Sequence, residues 1–267
     1  MKFTFNLTPK RRAQFDRVIL FGGTSEIGLA IAKEAESGLD FSTRSRIVRV
    51  LRTKLKNEGT AVYHDEVWEP SSSVEVLETV NRLDIGHGDL VVISIGDLSL
   101  DSHSLEELAE SISQVEANLF SNGTLPALTL LAVSKKMMTA GGGAIVVVSS
   151  VAAFPVLDSN SIYAAGKRML DEIAQGILPN LRKKNVKMII VRPGFVATKI
   201  HRARTTSYLS TSTERIAKVV AGSLRRGFSG VIWIPRAWAP VSWILSSIPF
   251  TRIAASAVLR RLRRAGK

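Results

Sequence analysis

The stretch RVILFGGTSEIGLAI, from Arg17 to Ile31, places an apolar run, a glycine turn and a second apolar run in immediate succession. The first run predicts a buried strand over Arg17–Phe21, and the glycines allow a tight turn into a helix. A helix N-terminus presents free N–H groups and the positive end of the helix dipole, so this turn suits the pyrophosphate of a dinucleotide cofactor. Any strand-to-helix turn also favours small residues for steric reasons. The candidate cofactor-binding residues here are Gly22, Ser25, Glu26, Ile27 and Gly28.

Short β-branched runs recur along the chain with helical segments between them. Runs such as LVVISI and AIVVVS are apolar at nearly every position, which is typical of parallel strands covered on both faces. The pattern predicts an α/β fold with a single doubly wound, Rossmann-like parallel sheet of about seven strands over residues 17–235. An N-terminal extension, 1–16, and a basic, apolar C-terminal segment, 236–267, would flank it. The predicted strands are Arg17–Phe21, Arg46–Leu51, Thr60–Tyr63, Leu90–Ile95, Ala144–Ser149, Val186–Val191 and Val231–Ile234.

Further cofactor-binding candidates follow the second and third predicted strands. An acidic residue at the end of the second strand binds the ribose diol of NAD, whereas a basic residue favours the 2′-phosphate of NADP. Arg52 occupies this place and favours NADPH, but Arg49, Arg52 and Lys54 also fit a solvated face, so NADH and NADPH both stay open. Asp65, which follows the predicted third strand, is either an adenine contact or a simple loop carboxylate.

Tyr163 and Lys167, with Ser150 thirteen residues before the tyrosine, form a second informative pattern. Residues at i and i+4 of a helix share one face, so the tyrosine and the lysine point the same way. An ammonium group at about 4 Å, with an effective dielectric constant of about 20, would stabilise a phenolate by about 4 kcal/mol. This effect lowers the pKa of a phenol from about 10 toward neutral pH, where acid–base catalysis is efficient. The pattern predicts a hydride-transfer enzyme.

Together with other motifs in a fixed order, these residues resemble the short-chain dehydrogenase/reductase family over nearly the whole chain. Glu26 departs from the family pattern GxxxGxG, since it stands at the middle glycine. The motifs are the glycine turn Gly22–Gly28, Gly96 in ISIGDL, Asn118 in EANLFSNG, Ser150 in VVVSSVAA, Tyr163–Lys167 and RPGFVAT at Arg192–Thr198.

The resemblance implies a division of labour among these residues. Tyr163 would exchange a proton with the substrate, Lys167 would lower the pKa of Tyr163 and hold the nicotinamide ribose, and Ser150 would bind the reacting oxygen. Asn118 would hold a water molecule in a proton relay. Ser149 competes for the serine role, but the thirteen-residue spacing to the tyrosine favours Ser150. The further cofactor contacts implied for NADH or NADPH are Gly96, Pro193, Gly194, Val196 and Thr198.

A narrower resemblance rests on GGTSEIGLAI, RPGFVATKI and the ending VIWIPRAWAPVSWILSSIPFTRI. These stretches are similar to the actinobacterial decaprenylphosphoryl-2-keto-erythro-pentose reductases, the second subunit of decaprenylphosphoryl ribose 2′-epimerase. That family completes the epimerisation to decaprenylphosphoryl arabinose for cell-wall arabinan. The resemblance implies a polyprenyl-phosphate keto-sugar substrate and a flavin-dependent oxidase as partner subunit. The alternatives are a reductase of another lipophilic ketone and a non-catalytic dinucleotide-sensing protein of the same fold.

The net charge of +13 is concentrated toward the C-terminus. From Arg215 to Lys267 the chain has 11 Lys or Arg residues and no Asp or Glu, whereas the first 214 residues are close to neutral. A protein with a basic surface throughout is therefore disfavoured, and we expect no nucleic-acid partner.

The C-terminal segment combines this charge with apolar residues. Ala237–Thr251 is uncharged, but Pro240 and Pro249 interrupt it, so we expect it to be too short and broken to span a membrane. Thr251–Lys267 has the pattern of a basic amphipathic helix. We expect contact either with the inner membrane surface or with a neighbouring subunit of a homo-oligomer. The large apolar residues are Trp238, Trp243, Ile244, Leu245, Ile248 and Phe250.

Composition excludes several other classes of site. Cysteine is absent, so disulfides, thiolate metal sites and a cysteine nucleophile are excluded. The four histidines lack metal-ligand spacing, and we expect no metal site. The first residues lack the continuous apolar core of a secretory signal, so we expect a cytoplasmic enzyme associated peripherally with the inner membrane.

Overall fold

The computed structural model describes residues 15–38, 47–52, 63–68, 70, 72–100, 104–154, 160–196 and 209–247. Strands in this part are β1 (Arg17–Phe21), β2 (Ile47–Leu51), β3 (Tyr63–Val67), β4 (Asp89–Ile93), β5 (Gly143–Val148), β6 (Val186–Pro193), β7 (Phe195–Val196), β8 (Ser210–Thr211) and β9 (Gly230–Ile234). Seven of them form one parallel sheet in the order β3-β2-β1-β4-β5-β6-β9, while β7 pairs with β8. The predicted doubly wound α/β fold is confirmed.

Helices cover both faces of this sheet. The described helices are α1 (Glu26–Gly38), α2 (Ser73–Arg82), α3 (Leu105–Glu110), α4 (Ile112–Leu119), α5 (Leu125–Thr139), α6 (Ser161–Lys183), α7 (Thr213–Arg225) and α8 (Trp238–Ser247). Ile19 and Phe21 of β1 lie in a core with residues of α2, α5 and α6, whereas Val18 and Leu20 lie in a second core with residues of α1 and α7. Alternate side chains of one strand thus enter opposite cores, which explains the continuous apolar runs.

The third strand does not lie where the sequence predicts it. The prediction is Thr60–Tyr63, whereas β3 begins at Tyr63 and ends at Val67. Residues 60–62 lie outside the described part of the chain. β3 is the edge strand of the sheet, and its sequence YHDEV is polar and only partly buried. Charged side chains are common on edge strands, so a search for apolar runs misses this one.

The hydroxyl-rich stretch Thr205–Thr213 is described from Leu209 onward. Ser210–Thr211 form β8, and α7 begins at Thr213. Ser212 caps α7, because its side chain accepts a hydrogen bond from the backbone N–H of Arg215 at 3.2 Å.

Helix α8 carries the beginning of the apolar C-terminal segment. Pro240 does not interrupt it, because it is the third residue of the helix, where a missing N–H costs no helical hydrogen bond. Trp238 is 3% exposed and Trp243 is 73% exposed, so the two tryptophans face opposite environments. Pro249 and Thr251–Lys267 lie outside the described residues. None of the helices in the described ranges has both the length and the apolar character needed to cross a bilayer.

Candidate active site

A cleft of about 780 Å³ lies at the carboxyl ends of the central strands. The strand order reverses between β1 and β4, and ligands of open α/β sheets bind in the crevice outside such a switch point. Arg52 and Trp68, at the ends of β2 and β3, line the cleft on one side of this point. Ser150, Tyr163 and Lys167 line it on the other.

The glycine turn packs tightly against β4. Gly22 has a φ of +86°, and a Cβ at this position would overlap the carbonyl oxygen of Ser94. A Cβ at Gly28 would lie 2.6 Å from a methyl group of Leu20. The hydroxyl of Ser25 lies 2.7 Å from that of Ser94 and accepts a hydrogen bond from the N–H of Gly28. This packing requires the two glycines and leaves the first turn of α1 along the cleft, where its N–H groups fit a pyrophosphate.

The basic cluster after β2 divides into two parts. Arg49 is buried, and its guanidinium bonds both carboxylate oxygens of Asp65 at 2.7 and 2.8 Å and lies over the ring of Tyr63. Arg52 is exposed and lines the cleft, while Lys54 lies outside the described residues. The alternative of one solvated basic face is therefore wrong for Arg49.

Asp65 does not occupy the predicted loop position. It lies in the middle of β3, its side chain is 3% exposed, and its carboxylate is paired with Arg49. The strand begins three residues later than the sequence predicts, which moves Asp65 from the end of the strand into its interior. Asp65 is not among the residues that line the cleft. The adenine contact predicted for Asp65 is contradicted by this placement.

Trp68 lines the cleft, although no sequence motif identifies it as a candidate cofactor contact. It directly follows β3, and its backbone N–H donates to the carbonyl oxygen of Leu51 at 2.9 Å. Its ring meets the ring of Phe21 edge-on, with centroids 5.3 Å apart. An aromatic residue directly after a strand could have indicated this position, but the predicted β3 ended at Tyr63, five residues before Trp68.

The two adjacent serines have different surroundings. The hydroxyl of Ser149 donates to the buried carboxylate of Asp171 at 3.0 Å, and Arg192 pairs with the same carboxylate. Ser150 lies at the start of a short 3-10 turn, and its Oγ accepts a hydrogen bond from the N–H of Ala152. Ser149 is therefore committed to a structural network, and the hydroxyl of Ser150 keeps its hydrogen free for donation.

Lys167 is buried below the cleft, with 3% of its surface exposed. Its Nζ donates to the carbonyl oxygen of Ile95 at 2.8 Å and to that of Val148 at 3.3 Å. The same atom lies 5.9 Å from the ring centroid of Tyr163, one helical turn away on α6. Burial lowers the pKa of Lys167 to about 8, because desolvation disfavours the ammonium form.

Two buried asparagines lie near this lysine, and Asn122 holds the central position. Its Oδ1 accepts a hydrogen bond from the N–H of Asp97 at 2.9 Å, and its Nδ2 donates to the carbonyl oxygen of Asp97 at 2.7 Å. A Cβ on Gly96 would lie 3.1 Å from both Asn122 Oδ1 and Lys167 Nζ. Asn118 lies behind Asn122 and accepts a hydrogen bond from it at 2.9 Å. Asn118 also donates to the carbonyl oxygen of Asp97, at 3.3 Å. The structure thus adds Asn122, which the sequence pattern did not single out, to this place, and the relay role of Asn118 stays a prediction.

The chain forms a single π-helical turn, Phe120–Thr124, around this asparagine. A Cβ on Gly123 would lie 3.1 Å from the Cα of Gly166, so the turn packs directly on α6 beside Lys167. π-Turns of this kind occur mainly at functional sites. The sequence shows two asparagines four residues apart, but it does not show this wider turn, so the contacts of Asn122 with Asp97 could not be predicted.

Most predicted cofactor contacts lie along the one cleft. Gly28 and Asp65 do not line it, and Thr198 lies outside the described residues. The predicted residues that line it are Gly22, Ser25, Glu26, Ile27, Arg52, Gly96, Tyr163, Lys167, Pro193, Gly194 and Val196. A hydroxyl donor, a phenol and a buried ammonium group thus meet at the end of a groove that fits a dinucleotide. This arrangement can bind a carbonyl oxygen and transfer a proton to it.

Comparisons with known proteins agree with this geometry. The family model described as short chain dehydrogenase matches residues 16–208. An uncharacterized oxidoreductase of Mycobacterium tuberculosis (strain ATCC 25618 / H37Rv) is 30% identical over 237 residues, which cover 87% of this chain and 93% of the relative.

Solved structures share the same fold. A short chain dehydrogenase from Burkholderia cenocepacia in complex with NADP matches with a TM-score of 0.73 at 17% identity, covering 92% of this chain and 98% of that one. The L-sorbose reductase of Gluconobacter frateurii, complexed with NADPH and L-sorbose, matches with a TM-score of 0.66 at 18% identity, covering 84% and 96%.

Proposed function

Because the chain belongs to the short-chain dehydrogenase/reductase family and is an NAD(P)-dependent oxidoreductase, we propose that it reduces the 2-keto group of decaprenylphosphoryl-2-keto-erythro-pentose. The product would be decaprenylphosphoryl arabinose. The observation that carries the reduction is the convergence of Ser150, Tyr163 and Lys167 on one dinucleotide-sized cleft. The lipid-linked sugar rests on the sequence resemblance of the glycine turn and the C-terminal segment.

In this proposal the chain binds the ketone and controls one proton. NAD(P)H, when bound, supplies the hydride that reduces the carbonyl carbon. The hydroxyl of Ser150 donates a hydrogen bond to the carbonyl oxygen, which polarises the bond and fixes its position. The hydroxyl of Tyr163 gives its proton to that oxygen as the alcohol forms. The ammonium group of Lys167 stabilises the tyrosinate, and Asn122 holds the backbone of Asp97 beside Lys167.

NADPH is the preferred cofactor in this proposal. Arg52 lines the cleft after β2 and is exposed, whereas Arg49 and Asp65 are bound to each other. A charge-assisted hydrogen bond from Arg52 to the 2′-phosphate would contribute about 1.5 kcal/mol or more, which is a factor of about ten in binding. Arg52→Gln should therefore weaken NADPH binding about tenfold or more and leave NADH binding within about twofold. Equal losses for both cofactors, or none, would contradict the assignment; Arg82→Gln on α2 is the control.

Helix α8 provides a surface for a lipid substrate. Trp243 is 73% exposed and Ile244 is 47% exposed, and the following residues 248–267 contain arginines but no acidic residue. Exposed tryptophan beside arginines favours binding to an anionic bilayer surface. A polyprenyl chain would remain in the bilayer while the sugar enters the cleft.

Vesicle binding separates this role from an oligomer contact. Deletion of Arg252–Lys267 and, separately, Trp243→Ser should each reduce binding to vesicles that contain phosphatidylglycerol. Phe228→Ser, which removes another exposed aromatic residue, is the matched control. Unchanged vesicle binding together with a smaller oligomer in the deletion variant would instead support the subunit interface.

The proposed reaction is tested with purified protein, decaprenylphosphoryl ribose and a flavin-dependent oxidase that makes the keto intermediate. NADH and NADPH are supplied in separate assays, and the lipid products are separated and identified. Appearance of decaprenylphosphoryl arabinose supports the proposal. Accumulation of the keto intermediate with both cofactors would contradict this substrate and direct the search to other lipophilic ketones.

A further inference from the structure

Asn160 is a polar residue of the cleft that the proposed mechanism does not use. It directly precedes α6, and it lines the cleft together with Ser150 and Tyr163. Its side-chain Oδ1 is buried and has no hydrogen-bond partner among the residues that the structure describes. A buried acceptor without a partner is unfavourable, so such an atom at the wall of a cleft indicates a partner that arrives with a ligand.

The usual structural reason for an asparagine at this place is absent. An asparagine before a helix ordinarily accepts a hydrogen bond from a backbone N–H in the first turn. Asn160 has φ −144° and ψ 27°, and its side chain makes no such capping bond with α6. The amide is therefore available to the cleft and is not used by the helix.

Asn160 lies before the first residue of α6, on the N-terminal side of Tyr163. Lys167 lies four residues after Tyr163, where it serves the phenol and the cofactor, whereas Asn160 lies three residues before it. Lys167 shares a helix face with Tyr163. Asn160 and Tyr163 line the same cleft, with Asn160 at the N-terminal end of α6 and Lys167 on the C-terminal side of the tyrosine. A group bonded to a carbon near the reacting ketone would lie in this region.

We propose that Asn160 determines substrate specificity by hydrogen-bonding a hydroxyl group on the carbon next to the ketone. The substrate class is then the hydroxyketones, which include keto-sugars. A hydroxyl both donates and accepts, so it satisfies the buried amide atom whichever way the amide is oriented. An aldehyde or an unsubstituted ketone would leave that atom without a partner. The inference rests on the proposed ketone reduction and adds a recognition element to it.

A matched pair of ketones tests this role. Cyclohexanone and 2-hydroxycyclohexanone differ only in the neighbouring hydroxyl, and reduction is followed by oxidation of NADPH and of NADH. Wild-type protein should show at least a tenfold higher kcat/KM for the hydroxyketone. Asn160→Leu should remove this preference and keep kcat/KM for cyclohexanone within threefold of wild type. Asn160→Asp, which retains an acceptor, should keep part of the preference, and Asn180→Leu on the exposed part of α6 is the control.

The possible results distinguish the role of Asn160 from the ketone reduction on which it depends. Equal reduction of both ketones by wild-type protein would overturn the role of Asn160 and leave the reductase intact. An unchanged preference in Asn160→Leu would also overturn it, because an ordered water or another residue would then satisfy the hydroxyl. Oxidation of neither cofactor with either ketone would contradict the ketone reduction on which the inference rests.

Discussion

The Nζ atom of Lys167 lies 2.8 Å from the backbone carbonyl oxygen of Ile95, which joins helix α6 to the end of β4. A second carbonyl oxygen, that of Val148 at the end of β5, lies 3.3 Å from the same atom. The ammonium group is therefore fixed between the ends of two central strands, directly below the cleft. This position explains both its burial and its closeness to Tyr163.

Replacing Lys167 with Met should change how stability depends on pH. Burial lowers the pKa of Lys167 from its ordinary value of about 10.5 to about 8 in the folded chain, so between these pH values the unfolded chain binds more protons. Stability that Lys167 contributes therefore rises with pH across this window, by roughly 3 kcal/mol. In urea unfolding between pH 7 and 10.5, the free energy of unfolding of wild-type protein should rise relative to that of Lys167→Met as pH increases. A constant difference would contradict the lowered pKa.

Alanine substitution should distinguish the two asparagines. Asn122→Ala removes the partner of the Asp97 N–H and the shorter of two side-chain hydrogen bonds to the Asp97 carbonyl oxygen, at a cost of about 1–3 kcal/mol. It should reduce kcat by about tenfold or more. Asn118→Ala should cost less in kcat, because the hydrogen bond of Asn118 to the carbonyl oxygen of Asp97 is longer, at 3.3 Å, than that of Asn122, at 2.7 Å. Steady-state kinetics and thermal unfolding of both variants provide the comparison. A larger loss of kcat in Asn118→Ala would instead support the relay role predicted for Asn118.

The ion pair of Asp171 and Arg192 should be important for stability. Asp171 is fully buried, and Asp171→Asn would leave the Arg192 guanidinium without its charge partner at a cost of about 3 kcal/mol or more. The neighbouring pair of Glu172 and Arg168 is about half exposed, so Glu172→Gln should cost less than about 1 kcal/mol. Urea unfolding measures both values. Similar costs for the two variants would show that burial does not decide the strength of the Asp171 pair.

The indole of Trp238 should stabilise the junction between α8 and the strand pair β7 and β8. Its Nε1 donates to the carbonyl oxygen of Leu209 at 2.9 Å, and its ring meets that of Phe195 at 5.7 Å. Trp238→Phe keeps an aromatic ring but removes the donor, so unfolding should become easier by about 1–2 kcal/mol. Trp243→Phe on the exposed face is the control, with an expected change below about 0.5 kcal/mol. Equal effects would contradict the anchoring role of Trp238.

The central strands could be predicted from sequence because burial on both faces demands apolar residues at every position. This holds for β1, β4 and β5, whose observed bounds differ from prediction by at most two residues at either end. The edge strand β3 is only partly buried, so its residues need not be apolar. They include Asp65, whose carboxylate pairs with Arg49. Because the predicted β3 ended too early, Asp65 was placed in a loop, and Trp68 was not recognised as the residue that follows the strand.

The shared face of Tyr163 and Lys167 on α6 could also be predicted, because it depends only on their spacing within one helix. Tyr163 and Lys167 share a face whatever surrounds them. The asparagine could not be chosen in the same way, since Asn118 and Asn122 differ only in how a π-turn presents them. Ser149 and Ser150 are adjacent in sequence, and only the buried carboxylate of Asp171 shows which hydroxyl is occupied.

The most direct test of the account is Tyr163→Phe, measured for cofactor binding and for turnover on the same preparation. The phenol hydroxyl is the proposed proton donor, whereas the ring and Lys167 remain in the variant. Binding of NADPH, followed by fluorescence, should stay within about twofold of wild type, and reduction of the keto-pentose lipid should fall by about 100-fold or more. Turnover near the wild-type rate would contradict the assignment of Tyr163 as the acid.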